Sequence, residues 1–170
     1  MNGNKILAAS IGIGHQLTLA VVSDCTPETL AKKVGNIETA GSVLAHAIIT
    51  EDFFIQKKLQ DKELLYQTGG FAPKIGISLG DAGPQLSEAF AQSVKMDMAT
   101  FMPYLQAVFA ATDAYVAGLS EADLDREIDG PFGKQGVGEF IAGLVAFHLS
   151  EHLGEIAAIK GVQGLKGLPF

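Results

Sequence analysis

The chain has 170 residues, of which 48% are hydrophobic, and a formal net charge of −7. This length favours a single domain, residues 1–170, with a sizeable core. The acidic balance argues against nucleic acid and anionic membrane surfaces as partners, because both would be repelled. A small-molecule substrate and other proteins remain as partners. A single cysteine, Cys25, excludes an intramolecular disulfide and suits a reducing compartment.

The first long helix is predicted from about Asn4 to Ser23. His15 lies about 200° around the axis from Ile13 and is expected at the surface or rim. The apolar run carries polar interruptions and no cleavage site follows it, so neither a signal peptide nor a membrane span is predicted and the protein is expected to be cytoplasmic. The apolar stripe of this helix consists of residues that recur at helical spacing: Ile6, Ile13, Leu17 and Ala20.

A second long helix is predicted from about Thr39 to Asp61, after a short connector helix that opens at Thr26-Pro27. Residues 43–49 are apolar on every side except at His46, which is therefore predicted to lie in the interior. Glu51 lies about 140° around the axis from His46, which makes it a poor candidate to share a metal with that histidine. Glu51 and Asp52 are interpreted either as outer support for a site or as a solvated turn.

A glycine-rich connection from Tyr66 to Pro84 follows the second helix. Its length, about twenty residues, predicts a crossover over the end of a bundle or a loop that covers a pocket. It carries neither G-K-[ST] nor G-x-G-x-x-G, so it is not a phosphate-binding loop. The third long helix is predicted from residue 87 or 93 to Gly118, with either a kink at Pro103 or a later start at Thr100.

The fourth long helix is predicted from about Gly136 to Lys160, after a capped turn at 119–124 and a tight loop at 130–133. A spacing of four places His148 and His152 on one face. Two imidazoles one turn apart can each present a ring nitrogen to one divalent cation, although two core histidines with hydrogen-bond partners would show the same pattern. The other members of this stripe are Ile141, Val145, Glu155 and Ile159.

The glutamate of this stripe, Glu155, has two interpretations. It could orient His152 or serve as a base. A core-facing carboxylate that pairs with Lys95 or Arg126 is the alternative. No catalytic residue beyond a metal ion is assigned from the sequence.

Four long amphipathic helices predict an all-α fold, a four-helix bundle with one long crossover connection and short additional helices. Facing helices of such a bundle can build a metal site in the core, and His46 with His148 and His152 would form one. An all-imidazole set with an open position is typical of catalytic metal sites, whereas structural zinc sites are closed by a fourth protein ligand.

Two segments carry a resemblance to a known family. Ser-Val-Leu-Ala-His-Ala-Ile-Ile-Thr-Glu at 42–51 and Phe-His-Leu-Ser-Glu-His-Leu-Gly-Glu-Ile at 147–156, with the Gly130-Pro131 turn between them, resemble the DinB/YfiT-like superfamily in its DinB-like branch. The resemblance covers nearly the whole chain. It implies a divalent metal, nickel or zinc, bound by His46, His148 and His152, and a homodimer, which the extra apolar residues of the first and third helices also favour.

The resemblance further implies a metal-dependent enzyme that transfers a low-molecular-weight thiol to a small electrophile, because thiol-dependent S-transferases and an isomerase belong to this superfamily. Metal-assisted hydrolysis of a small substrate is a second hypothesis. A stress-associated bundle protein that binds a metal or a ligand without catalysis is the third. Thiol-dependent turnover would separate the first two, and metal binding without turnover would indicate the third.

Overall fold

Helices make up most of the fold. The computed structural model describes residues 2–79 and 84–170. Within this part of the chain the helices are α1 (Gly3–Val22), α2 (Pro27–Ala31), α3 (Ala40–Asp52), α4 (Leu65–Thr68), α5 (Ala72–Ile75), α6 (Glu88–Ser93), α7 (Met98–Ala117), α8 (Glu121–Asp125), α9 (Val137–Ile141) and α10 (His148–Val162).

The four long helical stretches pack as a bundle. Helix α3 contacts α7 and α10, and α1 contacts the same two helices. The centre of the bundle is filled by fully buried side chains such as Leu44, Ile48, Leu105 and Ile159. The predicted all-α bundle is confirmed.

Two π-helical segments extend the long helices. One, Phe53–Lys58, continues α3, and the other, Ala142–Phe147, joins α9 to α10. A π-turn takes in one more residue than an α-turn, so it rotates the residues that follow relative to an uninterrupted α-helix. The helices predicted at 39–61 and 136–160 have the right extent, but each contains a π-helical segment. The residues after that segment therefore face directions that an uninterrupted α-helix would not give them.

Helix α7 begins at Met98, later than the predicted starts at residues 87 and 93 and two residues before the alternative start at Thr100. Asp97 caps it by accepting a hydrogen bond from the Ala99 backbone N–H, and residues 88–93 form the separate helix α6. The helix continues through Pro103, which lies in its second turn. One intrahelical hydrogen bond, to the Ala99 carbonyl, is lost there because proline has no N–H.

A small β-hairpin was not predicted. Strands β1 (Glu127–Gly130) and β2 (Gly133–Gly136) pair antiparallel, with Gly130 opposite Gly133. Gly133 has a φ of 107°, which favours glycine and closes the turn at the predicted tight loop. Four-residue strands that are largely exposed have no alternating apolar pattern, so the sequence gives no sign of them.

The long crossover connection is fixed by a buried carboxylate. Asp52, 1% exposed, accepts hydrogen bonds from the backbone N–H groups of Leu65 and Tyr66 and from the Tyr104 hydroxyl, at 2.9–3.0 Å. Burial raises its pKa above the usual value. The Tyr66 hydroxyl in turn bonds both backbone groups of Ile77. Of the two interpretations of Asp52, the solvated turn is therefore wrong, because its carboxylate is buried and holds the start of the connection. Residues 80–83 of the connection lie outside the described part.

The inward face of α1 differs from the predicted one. Ile6 and Ile13 are 53% and 59% exposed, whereas Ile11 and Val21 are buried. Added to Gly14, a Cβ atom would lie 3.3 Å from Leu149, so the glycine allows a close approach between α1 and α10. The helix is apolar on more than one side, and the spacing of its aliphatic residues therefore does not determine which side faces the core.

By length and composition, α1 could cross a membrane, with a mean hydropathy of 1.4 over 18 residues. The helix passes this test although polar residues interrupt its apolar run. A third of that window is buried inside the bundle, where α1 packs against α7 and α10. Core helices of soluble proteins pass the same test, so composition alone is weak evidence for a membrane segment.

The last turn of α10 contains a buried lysine. Lys160 is 1% exposed and donates hydrogen bonds to the Val21 carbonyl and to Asp24, both at 2.5 Å. The ammonium group lowers the pKa of the Asp24 carboxyl. The contact joins the end of α10 to the end of α1.

Candidate metal centre

The three predicted histidines come together between two helices. His46 lies on α3, and His148 and His152 lie one turn apart at the start of α10, directly after the second π-helical segment. The Nε2 atom of His148 is 3.2 Å from the Nε2 atoms of both His46 and His152. One ring nitrogen from each histidine lies within 4.8 Å of the other two.

Outer hydrogen bonds fix two of the rings. The Nδ1 atom of His46 donates to the Pro84 carbonyl at 2.5 Å, and the Nδ1 atom of His152 donates to the Glu155 carboxylate at 3.0 Å. Because a carbonyl and a carboxylate only accept, both Nδ1 atoms carry the proton, and the lone pairs of the neutral rings are on Nε2. Of the two interpretations of Glu155, orientation of His152 is the one that the geometry favours, because its carboxylate pairs with this ring.

The electrostatic setting favours the neutral form of two of the three rings. Burial, followed by the nearby His152 and His46, lowers the pKa of His148 to about 4. Burial also lowers the pKa of His46. A histidine binds a metal ion only as the neutral imidazole, so these two rings are available as ligands at neutral pH.

All three rings lie at the edge of the core. His46, His148 and His152 are only partly buried, whereas their neighbours Leu149 and Leu153 are buried. The prediction that His46 lies in the interior was therefore too strong. The helix around it is apolar on all sides, but the side of the helix that carries His46 faces a cavity and not packed side chains.

A cavity of about 240 Å³ opens beside the histidines, and we call it the triad pocket. Its position agrees with the predicted role of the long connection, because Pro84 at the end of that connection forms part of the wall. The first π-helical segment contributes two phenylalanines. The lining residues are His46, Thr50, Phe53, Phe54, Pro84, Gln85 and His148.

The donor set fits a divalent metal ion. Two imidazole nitrogens bound tetrahedrally at about 2.0–2.1 Å from one ion would lie about 3.3 Å apart, close to the two 3.2 Å separations here. The outer partners of His46 and His152 point their lone pairs toward the same space, as they do around metal-bound histidines. The cluster could hold a metal with at least one position open toward the triad pocket.

The fourth histidine forms a second buried cluster. His15 is 4% exposed, stacks on Phe109 with ring centroids 3.7 Å apart, and donates from Nε2 to Glu51 at 3.0 Å. The Glu51 carboxylate, 2% exposed, also accepts from the Thr112 hydroxyl. Asp113 lies 3.1 Å from Nδ1 of His15, outside hydrogen-bond geometry.

The surface position predicted for His15 and the solvated turn predicted for Glu51 were both wrong. The inverted face of α1 turns His15 inward, and the carboxylate lies in a helix that is buried on every side. One feature of the sequence could have indicated the pair: an acidic residue that follows a fully apolar helical run requires a buried partner.

The architecture defines a class of protein. In helical bundles, side chains on facing helices can build a metal or ligand site, and here three imidazoles converge from two facing helices. A family model of the DinB superfamily matches residues 13–156. The chain belongs to the DinB superfamily, and the predicted resemblance is confirmed.

The fold recurs in a protein of known structure. A conserved protein from Enterococcus faecalis is similar to this chain with a TM-score of 0.79, over 96% of this chain and 99% of the other, at 17% sequence identity. At that identity the likeness shows the shared fold alone. No protein with a curated description matches the chain.

Proposed function

We propose that the chain is a divalent-metal-dependent enzyme that joins a low-molecular-weight thiol to a small electrophile. The observation that carries the proposal is the convergence of three Nε2 atoms beside an open pocket. His46, His148 and His152 are the proposed ligands, and nickel or zinc is the proposed metal. A cation bound there would lower the pKa of a thiol or water in its open position.

The residues of the chain have separable roles in this proposal. The Pro84 carbonyl and Glu155 hold the His46 and His152 rings by their Nδ1 protons. Phe53 and Phe54 form an apolar wall that restricts water at the pocket. In the reaction the thiol proton goes to solvent, a sulfur–carbon bond forms, and the bond from that carbon to its leaving group breaks.

A turnover assay tests this function. We expect protein reconstituted with nickel or zinc to accelerate the reaction of 2-mercaptoethanol or cysteine with 1-chloro-2,4-dinitrobenzene, in which the sulfur–carbon bond replaces the carbon–chlorine bond and chloride leaves. Glu155→Gln should lower kcat/KM about 10- to 100-fold, because the amide orients His152 less well than the carboxylate.

The control is the same protein after removal of the metal. A rate equal to that of the metal-free protein, over a panel of thiols and electrophiles, would contradict the transferase proposal. If the metal is nevertheless bound, the result would favour the non-catalytic alternative.

The outer face of α1 and α7 supports a homodimer, which we also propose. Between them these two helices carry only Lys5 and Asp113 as Lys, Arg, Asp or Glu residues. Ile6 and Ile13 are exposed on α1, and the adjacent α7 exposes small residues such as Ala110. Such an uncharged apolar face is typical of a surface that a second copy covers.

Light scattering coupled to size-exclusion chromatography tests the dimer. We expect the wild type to be a dimer at micromolar concentration and Ile13→Lys to be a monomer, because a lysine would place a charge in the interface. The matched control is Phe132→Lys at the exposed hairpin turn, which should remain a dimer. A monomeric wild type would contradict the proposal. We also propose a cytoplasmic location.

A further inference from the structure

The described residues that line the triad pocket include no lysine or arginine. The segment 80–83, Gly-Asp-Ala-Gly, adds none. Among the described residues, the acidic side chain that contacts the triad is that of Glu155. A substrate could carry an anionic group besides the atom that binds the metal. Such a group would lose hydration in this pocket and gain no positively charged partner from the described lining residues.

The walls of the pocket are apolar. Phe53, Phe54 and Pro84 supply most of them, and the Thr50 hydroxyl is directed at the Pro84 carbonyl, 3.5 Å away. The Gln85 amide, on an exposed residue, is the remaining polar side chain among the described lining residues besides the histidines. Recognition in such a pocket comes from burial of apolar surface rather than from ion pairs.

The size of the pocket limits what can enter. Its volume of about 240 Å³ lies below the range of about 300–1,000 Å³ typical of sites for drug-sized ligands. A single ring or a short branched aliphatic chain is the scale of molecule that it can enclose. A larger substrate could place only one end inside it.

We propose that the triad pocket binds a small, uncharged, apolar molecule, or the uncharged apolar end of one, with its reacting atom toward Nε2 of His148. The direction of the reacting atom rests on the proposed metal-dependent function. The preference for an uncharged group rests on the lining of the pocket alone. The two parts can therefore be tested separately in one experiment.

The experiment compares two probes of similar size, 4-methylbenzenethiol and 4-mercaptobenzoate, which differ in a methyl group against a carboxylate. Both are titrated under argon into the full chain, metal-free and after addition of cobalt(II), and binding is followed by the amide NMR shifts of residues 50–54 and 85. We expect the methyl probe to bind at least about tenfold more tightly than the carboxylate in both forms. In the cobalt form, titration of the methyl probe should also produce a thiolate-to-cobalt absorption band. The affinity measured from this band should equal the affinity measured from the amide NMR shifts.

A charge-inserting variant makes the test specific to the pocket. Gln85→Lys places a cation at the pocket wall and should reduce the preference for the methyl probe to about twofold or less. Gln67→Lys adds the same charge on an exposed position of α4 outside the lining and should leave the preference unchanged.

The two possible failures have different outcomes. Equal or tighter binding of the carboxylate probe by the metal-free wild type, or no shift of the pocket amides with either probe, would overturn the inference. A tenfold preference for the methyl probe without any cobalt absorption would support the apolar pocket and overturn the metal-dependent function.

Discussion

Replacement of both histidines of α10, His148→Ala with His152→Ala, is expected to reduce bound divalent metal from about one equivalent per chain to none. The reason is that His46 would remain as the single imidazole, and one neutral nitrogen at a partly open site does not retain a metal ion against water. Elemental mass spectrometry of tag-free protein, loaded with nickel or zinc and then dialysed, measures the difference directly.

The matched control for this variant is Ser150→Ala, an exposed position between the two histidines whose hydroxyl donates to the Ala146 carbonyl. It should retain the metal, and circular dichroism should show that both variants remain helical. Metal that stays bound to the double variant would place the site elsewhere in the chain. A wild type that takes up no metal after loading would remove the catalyst from the proposed function.

The site was predictable because its chemistry is local. The four-residue spacing of His148 and His152 determines their common face, and the apolar surroundings of His46 indicate a site between helices. Packing of α3 against α10 then brings the three Nε2 atoms together. The resemblance to the superfamily added the expectation of a metal, which the spacing alone left open.

The errors share a physical cause: tertiary packing, and not the local sequence alone, determines which side of a helix faces the core. Helix α1 is apolar on two faces, so tertiary packing, including the approach of Gly14 to Leu149, determines that His15 faces inward. The π-helical segments change the phase without any periodic sign in the sequence. Pro84 and Glu155 are outer partners of the histidines, and only the fold shows that the Pro84 carbonyl meets His46 across the connection.

The buried pair of His15 and Glu51 predicts a second large effect. We expect His15→Phe to lower the free energy of unfolding by about 3–5 kcal/mol, although phenylalanine can keep the stacking on Phe109. The loss arises because the Glu51 carboxyl, 2% exposed, would lose the His15 ring as a hydrogen-bond partner and stay buried with the Thr112 hydroxyl as its described partner. Urea unfolding followed by far-UV circular dichroism measures the change.

A second substitution should restore part of that stability. In the double variant His15→Phe with Glu51→Gln, the buried group is neutral and its Oε1 can still accept from Thr112, so we expect about 2 kcal/mol to return. Asp113, which lies near His15 without a hydrogen bond to it, provides the control: its side chain is 55% exposed, so Asp113→Asn should cost less than about 1 kcal/mol. If the double variant were instead less stable than His15→Phe alone, the unpaired carboxyl of Glu51 would not be the cause of the loss, and the cost of His15→Phe would have to come from packing against Phe109.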